Sequence, residues 1–215
     1  MEEIPLYYED LVTAFIRGRR PDAPDLPLPE LLRWAHAQGL KTYKFKRSEP
    51  PLPRVRKVLG QLHGLWPQTL LDVGSGRGTF LWPMIDALPQ VHVTSLEQDP
   101  IRVRDLRAVR LGGIDRLDVL DADAQTADLP ERGWAVVTAL EVLEHLPDPA
   151  AAAVRLLRAA ERCLIATVPS QPDDNPEHLR LYTGDSLRGL LLDAGARSVR
   201  VEYVLNHIVA SATPP

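Results

Sequence analysis

Residues 70–80 read Leu-Leu-Asp-Val-Gly-Ser-Gly-Arg-Gly-Thr-Phe, and no other stretch limits so tightly what this chain can fold into. An apolar run meets Asp72 and gives way to three glycines at alternate positions, Gly74, Gly76 and Gly78. A helical pattern starts at once with Phe80, Leu81, Met84, Ile85 and Leu88. A strand that turns through glycines into a helix opens a nucleotide-binding α/β unit, because backbone without Cβ atoms can approach a ligand closely. The spacing is G-x-G-x-G, with Thr79 where the dinucleotide fingerprint G-x-G-x-x-G has its last glycine. That departure speaks against a pyrophosphate seated on the helix N-terminus. Asp72, two positions before the first glycine, would repel a pyrophosphate and suits a cationic amino group.

Acidic endings recur along the chain. Val91–Leu96 reads as a second strand that runs into Glu97, at the distance where a carboxylate can accept both hydroxyls of a ribose. Asp99, just beyond, lies past the strand end and reads as an N-cap. Leu117–Leu120 leads into Asp121-Ala122-Asp123-Ala124, and Trp134–Leu140 is closed by Glu141-Val-Leu-Glu144-His145-Leu-Pro. A nucleoside that carries an ammonium and no phosphate is S-adenosylmethionine. In this order of motifs, over about residues 55–211, the chain resembles the class I S-adenosylmethionine-dependent methyltransferases, whose first motif is D-x-G-x-G-x-G. The resemblance implies a cofactor held by Asp72, Gly74, Gly76, Gly78, Glu97, Asp123 and Ala124. Glu141 would line the same pocket, with the segment after it beside the methyl group and the acceptor.

The expected architecture is α/β, a doubly wound, seven-stranded, mostly parallel sheet with an N-terminal helical extension. Residues 1–53 form the extension and 54–215 the methyltransferase domain. Within the extension, residues 7–18 and 29–38 carry helical patterns separated by the proline-rich run 21–29, which stops one helix and stiffens the link to the next. Residues 54–66 form an amphipathic helix before the first strand. Pro149–Glu161 and Asp185–Ala194 are later helices, the second capped by Thr183 or Asp185 and stopped by Gly195. Ser198–Val204 and His207–Ala212, joined at Leu205-Asn206, look like the antiparallel pair that closes a methyltransferase sheet.

At 45% hydrophobic and 25% charged residues, the composition is that of a soluble globular protein. Met1–Pro5 lacks the basic lead of a signal peptide and no apolar run approaches twenty residues, so neither a signal peptide nor a membrane span is expected. The lone Cys163 fits a reducing, cytoplasmic setting. The net charge of −4 conceals a basic segment. Between residues 41 and 57, Lys41, Lys44, Lys46, Arg47, Arg54, Arg56 and Lys57 face only Glu49, and Tyr43 and Phe45 interleave with the lysines. Such a stretch can bind a phosphate backbone and stack on bases, or it can be a solvated loop whose aromatics pack on the domain. Arg17, Arg19 and Arg20 add a weaker basic cluster.

Methyl transfer from a sulfonium needs an aligned nucleophile, and a hydroxyl nucleophile also needs somewhere to send its proton. If the segment after the fourth strand turns helical at Glu141, then Glu141, Glu144 and His145 share one face. His178 follows in a loop before Thr183. Two carboxylates and two imidazoles can chelate Mn²⁺ or Mg²⁺. The pattern E-x-x-E-H with a later histidine resembles the small-RNA 3′-terminal 2′-O-methyltransferases, which implies Glu141, Glu144, His145 and His178 as metal ligands. E-V-L-E-H-L-P-D-P also resembles metal-independent small-molecule methyltransferases of the ubiquinone-pathway type, in which Glu141 would line the cofactor pocket while His145 and His178 orient loops or serve as bases; His145, His178 and Glu144 are the catalytic candidates. The expectations are therefore an RNA acceptor with a divalent metal, a small-molecule O-, N- or C-methyltransferase, or a non-catalytic cofactor- or partner-binding member of the fold. His36, His63, His92 and His207 are expected to have no catalytic role.

Overall fold

The computed structural model describes residues 6–172 and 174–215; the Met1–Pro5 segment considered for a signal peptide lies outside the described residues. Seven strands form one sheet: β1 (Thr69–Val73), β2 (His92–Glu97), β3 (Leu117–Asp121), β4 (Trp134–Leu140), β5 (Ala160–Pro169), β6 (Ser198–Val204) and β7 (His207–Thr213). Their order is β3-β2-β1-β4-β5-β7-β6. β7 runs antiparallel to both its neighbours, whereas the pairings among β1 to β5 are parallel. The expected doubly wound, mostly parallel sheet is what the chain forms.

Alternation along each strand divides the apolar side chains between the two faces. Leu70, Val93, Leu117, Val136 and Ile165 enter one core. Their neighbours Leu71, Val73, Leu96, Val137, Leu164 and Ala166 enter the other. The first core is covered by α1 (Glu9–Arg19), α2 (Leu28–Ala37), α3 (Pro53–Leu65), α4 (Leu81–Ala87) and α5 (Pro100–Leu111). The second is covered by α6 (Pro149–Ala159) and α7 (Gly184–Asp193). Sequence boundaries hold within a residue or two, and Glu161 belongs to β5 rather than to α6. Asp99 caps α5 by accepting from the Ile101 and Arg102 amides. Thr183 caps α7 in a capping box closed by Ser186.

The N-terminal helices share the first core with the sheet. Phe15, Phe45 and Trp82 pack in series, with ring centroids 5.1 and 5.0 Å apart, the first pair tilted and the second stacked. α1 lies directly on α5, and two glycines permit the approach. A Cβ at Gly18 would fall 1.8 Å from the Ala108 carbonyl oxygen, and one at Gly112 would fall 1.8 Å from that of Ala14. Arg19 bonds Asp105 of α5 at 2.7 Å.

Candidate active site

The carboxyl ends of β1, β2 and β4 open into a cleft of about 520 Å³, the place where an open parallel sheet binds ligands. Its floor is the turn after β1. Gly74, Gly76 and Gly78 have φ of +65°, +58° and +81°, so the alternation legible in the sequence supplies three left-handed residues in five. Space is as restrictive as conformation: a Cβ on Gly74 would lie 2.8 Å from Val142 Cγ2, and one on Gly78 would lie 2.0 Å from Trp82 Nε1.

Asp72 is 2% exposed. Its carboxyl accepts from Ser75 Oγ at 2.6 Å and Thr138 Oγ1 at 2.9 Å. Burial pushes its pKa up to about 7, against the two hydroxyls, and the charge of Glu97 raises it further. An added cation in the cleft would favour the ionised form, so the site is electrostatically suited to an ammonium. Glu97, also buried, accepts from the Gly76 amide at 2.9 Å through Oε2 and from the Gln98 and Asp99 amides through Oε1. One strand-end carboxylate thus fixes the glycine turn while remaining on the cleft wall. Asp123 and Ala124 line the wall beyond it, and Asp123 accepts from the Gln125 amide at 2.8 Å. All the residues expected at the cofactor, from Asp72 to Glu141, line this cleft except Gly78, which shapes it from behind.

The opposite wall departs from expectation. After β4 the chain does not turn helical. Glu141 takes φ +57°, its amide bonds the Thr167 carbonyl at 2.9 Å, and Leu143–His145 form a turn closed by the His145 amide on the Val142 carbonyl. Glu141 therefore leaves the face it was expected to share with Glu144 and His145. Its carboxylate instead accepts from Thr167 Oγ1 at 2.7 Å, lies 3.2 Å from His207 Nε2, and is 3.8 Å from Arg54 Nε.

Glu144, His145 and His178 do converge, with candidate ligand atoms all within 4.8 Å of one another; Glu141 is not in this group. Glu144 is fully buried, and its carbonyl accepts from the Leu179 amide at 2.9 Å. The two imidazole rings are 4.7 Å apart. His145 Nδ1 donates to the Glu177 carbonyl at 3.0 Å, and its Nε2 lies 4.0 Å from Glu144 Oε1. An imidazole anchored in this way on a backbone carbonyl has the orientation that metal-ligating histidines use. The segment carrying His178 is fastened across Leu143–Pro147 by Arg180, whose guanidinium donates to the carbonyls of Leu143, Leu146 and Pro147. His145 lines the cleft and brings the cluster to its edge.

The basic stretch is spent largely within the fold. Lys44 pairs with Asp105 and stands 4.4 Å from the Phe15 ring, and burial pulls its ammonium below the ordinary lysine range. Arg47 pairs with Asp86, Lys57 with Glu202, and Arg54 with Glu141. Phe45 is buried, whereas Tyr43 is exposed. Lys41, Lys46 and Arg56 make no ion pair among the described residues. Arg54 and His207, which the sequence reading did not place here, both stand beside Glu141. Arg54 stands in the first turn of the helix entering β1, and His207 opens the strand paired with β5, so each is carried to the same end of the sheet.

A family described as a methyltransferase domain matches residues 71–163. The ubiquinone biosynthesis O-methyltransferase of Aeromonas salmonicida (strain A449) is 32% identical over 146 residues, 65% of this chain and 58% of that protein. The chain thus spans little more than half the length of this curated relative. Among solved structures, an S-adenosylmethionine-dependent methyltransferase from Aquifex aeolicus superposes with a TM-score of 0.65 at 23% identity, covering 77% of this chain and 92% of that one. PigF, solved with S-adenosylhomocysteine, gives 0.64 at 16% identity over 97% of this chain and 70% of its own. The sheet order, the glycine turn and the strand-end carboxylates already described thus belong to a chain similar in sequence to an O-methyltransferase over part of its length, and similar in fold to S-adenosylmethionine-dependent methyltransferases.

Proposed function

We propose that the protein transfers a methyl group from S-adenosylmethionine to a hydroxyl of a small molecule, with Glu144, His145 and His178 holding a divalent cation beside that hydroxyl. The observation that carries this reading is the convergence of two imidazoles and a buried carboxylate just past the end of β4, where His145 reaches the cleft wall. Two histidines and one carboxylate are a donor set for first-row divalent cations. A cation held there supplies Lewis acidity that lowers the hydroxyl pKa.

The order of the strands gives the cofactor its direction. Asp123 and Ala124 beyond β3 take the adenine, and Glu97 at the end of β2 takes the ribose hydroxyls. The amino-acid end then lies over β1 and β4, with its ammonium near Asp72 and its carboxylate on Arg54. In that direction the methyl points toward His145. Binding both partners in line supplies most of the acceleration, and the protein's remaining task is to exclude water and orient the hydroxyl.

The acceptor follows from what the basic stretch does. Four of its seven cations are paired with acids of the same chain, which removes most of the surface an RNA backbone would need. The curated relative is an O-methyltransferase, and a hydroxyl acceptor agrees with the cluster. The test is transfer of labelled methyl to a panel of catechols and other hydroxyaromatics, with a 3′-hydroxyl RNA oligonucleotide alongside. Transfer to the small acceptors should be lost with EDTA and in His178→Ala. Transfer that ignores EDTA would remove the cation, and transfer to RNA alone would replace the acceptor.

A further inference from the structure

Glu141 adopts a left-handed backbone that costs a non-glycine residue on the order of 1 kcal/mol. The cost is met by ties to two strands. Thr167 of β5 binds both its amide and its Oε1, and His207 of β7 faces Oε2 at 3.2 Å. Because Pro169 is paired with His207 across β5 and β7, Thr167 and His207 are diagonal neighbours on one face. Together they fix a carboxylate at the cleft wall without using it up, since each oxygen keeps a further acceptor site.

Arg54 meets this carboxylate through Nε, at 3.8 Å, and its guanidinium makes no hydrogen bond among the described residues. Its side chain is only 20% exposed and lines the cleft. An approach from the stem side leaves the two terminal nitrogens as an open fork, the geometry that grips a carboxylate with two parallel bonds. A guanidinium this enclosed with its fork unspent is a binding group awaiting an anion.

We infer that Glu141, itself set by Thr167 and His207, is a positioning residue that aims Arg54 at the α-carboxylate of the cofactor's amino-acid end. This rests on the cofactor direction given above and adds a role for His207 that involves no contact with the reacting atoms. Affinity for the amino-acid end should depend on a histidine three strands away from the glycine turn, while affinity for the adenosine end should not.

Two ligands that differ only in that end separate the cases: S-adenosylhomocysteine and 5′-methylthioadenosine, which lacks the amino acid. Calorimetric titration of His207→Ala and Glu141→Gln should show about tenfold weaker S-adenosylhomocysteine binding with 5′-methylthioadenosine unchanged. His207→Gln, which keeps a nitrogen donor, should recover most of the loss. Unchanged 5′-methylthioadenosine affinity also reports that the variants are folded. Equal weakening of both ligands, or His207→Gln no better than His207→Ala, would overturn the positioning role. If wild type binds 5′-methylthioadenosine but Arg54→Met loses nothing toward S-adenosylhomocysteine, the assigned cofactor direction fails first.

Discussion

Asp72→Asn should make the ligand-free protein more stable and its cofactor pocket worse, and both effects should follow pH. A carboxyl moved from 3.8 to about 7 disfavours its ionised form by about 4 kcal/mol. The sign follows from proton uptake. Between pH 4 and 7 the folded protein holds a proton at Asp72 that the unfolded chain has released, so stability from this group falls as pH rises through that window. Below pH 4 both states are neutral there and nothing is lost; above 7 the whole cost is present. Asparagine is neutral throughout, keeps an oxygen for Thr138 Oγ1, and offers its amide to Ser75 Oγ. Urea denaturation at pH 8 should therefore show Asp72→Asn more stable than wild type by about 2–4 kcal/mol, with the difference vanishing near pH 4. Ligand binding should move the other way. With a carboxyl at about 7, the ionised fraction drops from nine-tenths at pH 8 to one-tenth at pH 6, so wild-type affinity for S-adenosylhomocysteine should weaken about tenfold, and the Asp72→Asn profile should be flat. A wild-type affinity that does not change between pH 6 and 8, or a variant less stable than wild type at pH 8, would refute the reasoning.

Gly18→Ala puts a methyl into the Ala108 carbonyl and should loosen α1 from α5, costing about 2–3 kcal/mol in urea denaturation while leaving ligand affinity close to wild type. Gly78→Ala combines φ of +81° with a collision at Trp82 Nε1, and should abolish S-adenosylhomocysteine binding in calorimetry. Thr183→Ala removes the capping box of α7 and should lower stability by about 1 kcal/mol, readable as a reduced melting temperature.

Much of the fold was legible because each strand of the parallel region ends on a feature with one physical reading. The glycine alternation after Val73 demanded left-handed backbone, and Asp99 before Pro100 demanded a helix start. That Asp72, Glu97 and Asp123 would line one cleft was legible because these carboxylates sit at or just past strand ends, and parallel pairing delivers strand ends to one edge. The acceptor half was harder. Glu141, Glu144 and His145 share a face only if the backbone there is helical, and the Thr167 carbonyl draws the Glu141 amide out of that path. Nothing local signals that competitor, 26 residues away. The sequence left the basic stretch open between two readings for the same reason: Asp86, Asp105 and Glu202, which pair with it, are remote in sequence. His207 carried no motif at all, and its placement depends on the register of β7 against β5.

The most direct measurement is a calorimetric titration of the purified chain with S-adenosylhomocysteine and, separately, with NAD. The glycine spacing, the buried Asp72 and the strand-end Glu97 predict saturable one-to-one binding of the first and none of the second. Binding of NAD with no response to the adenosyl ligand would contradict the account at its root.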